Sequence, residues 1–442
     1  MTTTTGSVRP SVVGATEALD DYLARREEVR NRPPLRYLRN KPGRGLVAVF
    51  GPGDGGDIYT VTLEQRSDRG KPDGAAGPTI QQFPIDPKLP YLDDVMSPSA
   101  HPALASSLES TARRFHAVPD DRRLQDVVAR PVRYKPGDRC VLRYRLTFGD
   151  PDPAGTDAGT TTCSLVAKLY REESEAQAAD DLLDRLRAGT GSAWTARPLG
   201  VVPGLPLALT EDLGSSGDRV PTRSGLDVVH PGSDDALPVI GRAAEALAEL
   251  HTSGLDASAL SRRTGADEAA KAGRRAALLE SYVPELGPVI QPVTDALTGA
   301  LTGLPTDVLR PAHGSYKSSQ LLVRDGAVFL VDFDQFCAAD PALDVGYFLA
   351  YLRPAGLWYH RAGRRAWFDA AAGTFRAAYV RRLSERGEPA AVGAGIAGRA
   401  RVYEAALLFK IAARRANRLH SPRPGEVAAV LDEVAGLLTP PE

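Results

Sequence analysis

The sequence predicts an α+β protein in two lobes, a β-rich N-terminal half and a mainly helical C-terminal half. Two observations carry this. Short apolar and β-branched runs separated by turn residues dominate as far as LPLALTEDLG (205–214), which leaves into a Gly/Ser linker. After residue 236 the apolar residues recur at helical spacing instead. A chain of 442 residues, at about 150 residues per domain, has room for two or three units. A hydrophobic share of 43% and a charged share of 25% are those of an ordinary globular protein. No run approaches the roughly 18 consecutive apolar residues of a membrane span. MTTTTGSVRP has no apolar signal core. Cys140, Cys163 and Cys337 are far apart and odd in number. That argues against a disulfide framework or a zinc site and suits a cytoplasmic setting.

Residues 1–35 read as a polar tail and a helix, TEALDDYLARREEVRN (16–31), with a Thr cap and acids in its first turns. Residues 36–125 read as a β-rich extension. In it RYLRNKPGRGLVAVF (36–50) gives two strands about a Lys-Pro-Gly turn. A Gly/Asp-rich turn (51–57) leads to a third strand, IYTVTLEQ (58–65), and a helix is expected over 102–117. Residues 126–214 form the N-lobe proper. There RYKPGDRCVLRYRL (133–146) repeats the phrase of residues 36–46: Arg-Tyr, Lys-Pro-Gly, a basic residue, an apolar run. The repetition predicts a duplicated β-hairpin. An exposed loop (149–162) precedes the strand SLVAKLY (164–170). A helix over 172–188 then aligns Ala176, Ala179, Leu182, Leu183 and Leu186 on one face. Residues 215–442 form the helical lobe, with helices at 237–251, 265–282, 285–302, 342–352, 363–383, 399–419 and 425–438. Only 321–333 interrupts it, where LLV, an Arg-Asp-Gly turn and AVFLVDF read as a hairpin.

The net charge of −1 is unevenly spread. Residues 361–423 hold thirteen Arg and one Lys against Asp369, Glu385, Glu388 and Glu404, a local balance of +10. Solvated helix faces are one reading and attraction for an anionic partner the other. No aromatic-interleaved basic motif points to nucleic acid.

Four features fall in a set order. Lys168 lies on a strand and Glu175 on the next helix, with Glu172 and Glu173 as competing acids. The loop HGSYKSSQLLV (313–323) precedes a hairpin, and Asp332 ends that hairpin. Phosphoryl transfer needs a cation on the nucleotide phosphates, an acid to hold it, and hard oxygen ligands for Mg²⁺. Asp332 and the Gln320 amide oxygen are such donors. Asp334 is either a second metal ligand or an acceptor for loop backbone.

HGSYKSSQLLV followed by VDFDQFCAADPALDVGYFLAYL (331–352) resembles the aminoglycoside phosphotransferase and choline kinase-like family. Asp-Pro-x-x-Asp-x-Gly after Asp-Phe-Asp is characteristic of it. VAKLY, LALTED and LAELH also match, and the resemblance covers roughly residues 126–440. It implies a bilobal protein-kinase-like fold, ATP and Mg²⁺ as cofactors, and a hydroxyl-bearing acceptor. By the same resemblance Lys168 binds the α- and β-phosphates with Glu175 as its acid. Backbone near Thr210, Glu211 and Asp212 holds adenine, and Asp332 the metal. Asp344 braces the catalytic loop, His313 orients it, and Lys317 stands near the γ-phosphate.

Two positions depart from the family pattern. Gln320 replaces an asparagine, a shift of one methylene. Ser315 stands where the family has the aspartate that takes the acceptor's proton, and a serine hydroxyl is not ionised at neutral pH. General-base help is worth about 10²–10⁴ in rate, but a loose transition state leaves most catalysis to positioning and charge neutralisation. Two readings follow. One is an ATP-dependent kinase acting on a small molecule or on Ser/Thr of a precursor peptide. The other is a pseudokinase, a scaffold that binds nucleotide or a partner protein. The basic C-terminal segment argues against polycationic aminoglycosides and for sugars, anionic metabolites or an acidic peptide, which the edge of the added hairpin could recruit.

Overall fold

A computed structural model describes residues 12–26, 32–41, 45–51, 57–64, 77–149, 160–190, 194–214, 221–416 and 424–439. Helix α1 (Val12–Arg25) lays Ala15, Ala18, Leu19 and Leu23 on a four-stranded antiparallel sheet. Its strands run in chain order, β1 (Leu35–Lys41), β2 (Gly45–Phe50), β3 (Tyr59–Leu63) and β4 (Thr79–Gln82). Leu46, Ala48, Phe50, Tyr59 and Val61 complete a small separate core. The sequence signals three of these strands. The fourth is short and polar, TIQQ, and carries no apolar alternation. The predicted end of the first helix at residue 31 and the Lys-Pro-Gly turn of the first hairpin fall outside the described residues.

Helices α2 (Leu92–Met96) and α3 (Pro102–His116) follow, then β5 (Arg123–Lys135), β6 (Arg139–Gly149) and β7 (Thr161–Leu169). After α4 (Glu173–Thr190) come β8 (Pro198–Val201) and β9 (Leu207–Glu211). The five strands form an antiparallel sheet in the order β5-β6-β7-β9-β8. Leu92, Val95, Leu104, Leu108 and Ala112 of α2 and α3 share one core with Leu142, Tyr144, Leu146 and Leu165 of the sheet. The expected boundary between residues 125 and 126 therefore falls inside β5, and packing groups α2 and α3 with the second sheet. The polar face of β5, RLQDVVARPVRYK, hides its strand character in the sequence.

Each copy of the repeated phrase lies on a pair of antiparallel strands. β1 and β2 pair Lys41 with Gly45, and β5 and β6 pair Lys135 with Arg139, each with three residues between. In the second copy the turn is fastened from outside. The Asp86 carboxylate accepts from Tyr134 Oη at 2.8 Å and from Gly137 N at 2.7 Å.

The C-terminal lobe holds β10 (Arg223–Ser224), α5 (Gly225–Val228), α6 (Ala236–His251), β11 (Arg262–Arg263), α7 (Gly265–Tyr282) and α8 (Gly287–Thr302). Next come β12 (Arg310–Ala312), β13 (Leu321–Arg324), β14 (Ala327–Leu330) and β15 (Cys337–Ala339). Helices α9 (Ala342–Leu352), α10 (Arg364–Glu385), α11 (Ala390–Ala416) and α12 (Pro424–Leu438) end the chain's described part. Helix α7 begins at a capping box: Thr264 Oγ1 accepts from Asp267 N, and the Asp267 carboxylate accepts from Thr264 N at 2.8 Å. The β13–β14 hairpin turns at Asp325 and Gly326, both at positive φ, as a two-residue turn of the primed type requires. Helix α11 starts nine residues before its expected start. The glycine-rich run AAVGAGIAG reads as a breaker, but a side chain at Gly393 would crowd Val380 of α10 at 3.3 Å. The small residues there let two helices approach closely.

Candidate active site

Strand β7 carries Lys168 inward from the second sheet. Its ammonium meets the Asp334 carboxylate and lies 3.8 Å from Asp332 Oδ1. Both acids follow β14, on the other lobe, so the cation and the two carboxylates close the cleft between lobes. Arg139, at the start of β6, also grips Asp334 and lies 3.6 Å from Asp332. Burial opposes ionisation of Asp332, but Lys168, Arg139 and Arg133 outweigh it and hold the carboxyl below its usual range. Burial is also the main force pulling the Lys168 ammonium down, with Arg139 acting the same way and Asp332 against it. Asp332 sits at φ 69°, a left-handed conformation that a non-glycine residue keeps only where its surroundings impose it.

The loop between β12 and β13 is fixed from beneath. His313 is fully buried. Its backbone N–H donates to Asp344 Oδ2 at 2.6 Å, and its Nε2 donates to Val331 O at 3.1 Å. That donation leaves Nδ1 bare, and Nδ1 is buried without a partner. Burial lowers the imidazole pKa, so the ring is neutral. Asp344 also accepts from His251 Nε2 at 3.3 Å, while His251 Nδ1 meets Tyr379 Oη at 2.6 Å. Tyr316 donates to Ala243 O at 2.7 Å and pins the loop to α6. Gly314 has φ 76°, and any Cβ there would sit 2.0 Å from Gln335 O. The Asp-Pro-x-x-Asp-x-Gly run thereby acquires physical roles. Asp340 Oδ1 accepts from Ala342 N at the start of α9, Asp344 holds the loop, and Gly346 leaves room for α11.

Ser315 is half-buried, and its Oγ accepts from Gln320 Nε2 at 2.9 Å. The other end of that amide, Gln320 Oε1, is buried and has no hydrogen-bond partner. Among the described residues no group of three or more His, Cys, Asp or Glu is arranged to hold a metal. The donors present are two carboxylates and one orphaned amide oxygen. They suit Mg²⁺, which takes one or two carboxylates and fills its other positions with water and phosphate.

Lys168, Asp332 and Asp334 thus come together, as do Ser315 and Gln320. Lys317 lies over the ring of Tyr351, 5.3 Å from its centroid. Glu175 is a correction. It is exposed, its carboxylate accepts from Arg171 N, two residues before α4, and the acids on Lys168 are Asp334 and Asp332 instead. The side chains of Glu211 and Asp212 are engaged elsewhere. Glu211 accepts from Arg197 N at 2.7 Å, and Asp212 from Ser164 Oγ at 2.8 Å and from Arg143. Sequence reading missed Arg139 and Arg263. Arg139 follows the Lys-Pro-Gly-Asp turn of the hairpin before the lysine strand, and that position was its only signal. Arg263, in a two-residue strand, donates to Gly314 O in the loop.

No protein of curated function matches this sequence significantly. Among solved structures, a glucosamine kinase is similar at 19% identity and a TM-score of 0.48, over 93% of this chain and 95% of its own. A choline/ethanolamine kinase family protein from Mesorhizobium loti is similar at 17% identity and a TM-score of 0.39, over 76% and 95%. A choline kinase from Streptococcus pneumoniae is similar at 11% identity and a TM-score of 0.41, over 76% and 98%. The family model of the phosphotransferase enzymes matches residues 154–394, from β7 through the whole loop region into α11. That match takes in more than half of the sequence and both halves of the cleft, and the chain belongs to the phosphotransferase enzyme family.

Proposed function

We propose that this phosphotransferase moves the γ-phosphoryl group of ATP, with Mg²⁺, to the hydroxyl of a small acceptor, with Ser315 in place of the usual base. The observation that carries the reading is the meeting of Lys168 with Asp332 and Asp334 across the cleft; the Gln320 backbone carbonyl accepts from Val331 N at 3.0 Å, next in sequence to Asp332, and the Gln320 Oε1 is left without a partner. Asp332, Asp334 and Gln320 would hold the metal, whose part is to neutralise charge on the transferring group. Lys168 and Arg139, which now grip the two carboxylates, are then released to the phosphates. His313 and Asp344 keep the loop rigid, so that Ser315 faces the acceptor without reorganisation. The bond from the γ-phosphorus to its bridging oxygen breaks and a bond to the acceptor oxygen forms. The hydroxyl proton departs to solvent, and the products are ADP and a phosphate monoester.

Ser315 itself supports a second reading, a scaffold that binds nucleotide and transfers nothing. Two variants separate these in an ATP-turnover assay with hydroxyl acceptors. Asp332→Ala is expected to abolish Mg²⁺-dependent nucleotide binding and turnover; unchanged turnover sinks the transfer reading. Ser315→Asp is expected to raise an existing turnover, by up to about 10²–10⁴. Activity that appears in that variant from none in the parent favours the scaffold.

A further inference from the structure

Beside the loop that carries Ser315 lies a group of cations with too little negative charge near it. Arg263 of β11 donates to Gly314 O and sits over the Tyr347 ring, 5.5 Å from its centroid. Lys410 of α11 donates to Tyr347 Oη at 2.8 Å and lies 4.9 Å from the same centroid. Tyr351, one turn along α9, stacks with Tyr347 at 6.1 Å. It takes Lys317 over its ring and a hydrogen bond from Arg414 at 2.9 Å. Arg275 of α7 feels the same groups, and its Nη1 is buried without a hydrogen-bond partner. The one carboxylate paired here is Glu268, already shared by Arg263 at 2.7 Å and Lys271 at 2.6 Å. Among the described residues no carboxylate forms an ion pair with Arg275, Lys317, Lys410 or Arg414.

Cations gathered in this way repel one another and lose hydration, and the tyrosine rings and hydroxyls with the single carboxylate of Glu268 offset this only in part. Burial accordingly pulls Lys317 and Arg275 down, and it pulls Lys410, with Arg414 and Arg275 beside it, to about 6. Burial pushes the Tyr351 and Tyr403 phenols and the Cys337 thiol up, so these neighbours stay neutral and supply no counter-charge. In the reaction proposed above the nucleotide phosphates take other cations, Lys168 and Arg139, which lie at Asp334.

We propose that this cluster is the acceptor subsite for an oxyanion, so the acceptor is a small hydroxyl compound that carries a carboxylate or phosphate group. The inference rests on the transfer reaction proposed above, which sets the acceptor hydroxyl at Ser315; the cluster then receives the far end of the same molecule. Arg275 supplies a donor with no hydrogen-bond partner and Lys410 one held only by a neutral phenol, beside the stacked rings of Tyr347 and Tyr351. Binding an anion restores the proton on Lys410, so binding takes up protons near neutral pH.

Titration calorimetry on the full chain saturated with Mg·AMP-PNP tests this, with glucose, gluconate, glucose 6-phosphate and inorganic phosphate as probes. At least one charged probe is expected to bind about tenfold or more tighter than glucose. Binding in buffers of different ionisation enthalpy should show proton uptake. Gluconate against the two phosphates tells carboxylate from phosphate. Arg275→Met and Lys410→Met should each weaken that probe about tenfold or more while leaving Mg·AMP-PNP affinity within about twofold. Glucose or neomycin binding as tightly as every charged probe overturns the inference, as does indifference of the charged probe to both variants. If Mg·AMP-PNP itself fails to bind, the transfer reaction falls instead, and the probes alone still test the cluster.

Discussion

Lys410 shows what such a site costs the protein that carries it. An unfolded lysine titrates near 10.4, and burial and its cationic neighbours bring the folded group to about 6. Between these values the unfolded chain holds a proton that the folded chain does not. Stability from this residue therefore rises with pH across that window, and the penalty is complete below it. Lys410→Met removes the penalty. It is expected to stabilise the protein by roughly 0.5–2 kcal/mol near pH 6, with the gain fading toward pH 10. Urea denaturation at the two ends of the window checks this, and equal gains at both ends would show that the ammonium is not the cause. Much of the basic stretch at 361–423 is paired within the fold. Arg381, Arg382 and Arg399 pair with Glu245, Glu249 and Asp340. Among the described residues of that stretch Lys410 and Arg414 reach the cluster, while Arg263, Arg275 and Lys317 come from outside it.

Among the elements, α9 and α11 come into backbone contact at Gly346. A Cβ there would lie 2.6 Å from Glu404 N and 2.9 Å from Ala400 O, both on the facing helix backbone. Gly346→Ala is expected to push the helices apart and cost about 1–3 kcal/mol. A thermal melt unchanged from the parent would mean that the helices are not held there. This element is also where the sequence spoke most plainly. The helices at 265–282 and 342–352 lie where their apolar spacing puts them, because each has one buried stripe or is buried all round. The meeting of Lys168 with Asp332, and of Ser315 with Gln320, was legible from loop order and residue type. Arg139 and Arg263 were not, since an arginine at a strand end has no local signature and its value comes from a partner far along the chain. Glu175 was misjudged for a related reason. Its spacing on the helix is right, but Arg171 N is nearer to its carboxylate.

At the scale of the molecule, the described residues form three separate apolar cores: α1 with the first sheet, α2 and α3 with the second, and the helical lobe. Chains cut at different points should behave differently. A protein that starts near residue 84 loses one self-contained core and is expected to melt cooperatively with nucleotide binding intact. One that starts at residue 126 also loses Leu92, Val95, Leu104 and Leu108 from beneath the second sheet, and soluble folded protein is not expected. If both truncations fold equally well, the helices are not part of that core. No helix among the described residues is long and apolar enough to cross a membrane.

The grip of Asp86 on Tyr134 and Gly137 reaches further than the turn it steadies. The turn leads directly into Arg139, so the ceiling of the cleft is tethered by a residue upstream of the family-matched segment. A tether of that kind governs how long a visitor stays rather than how often one arrives. Asp86→Asn should hasten the departure of a fluorescent nucleotide in stopped-flow chase experiments while leaving its rate of entry nearly as before.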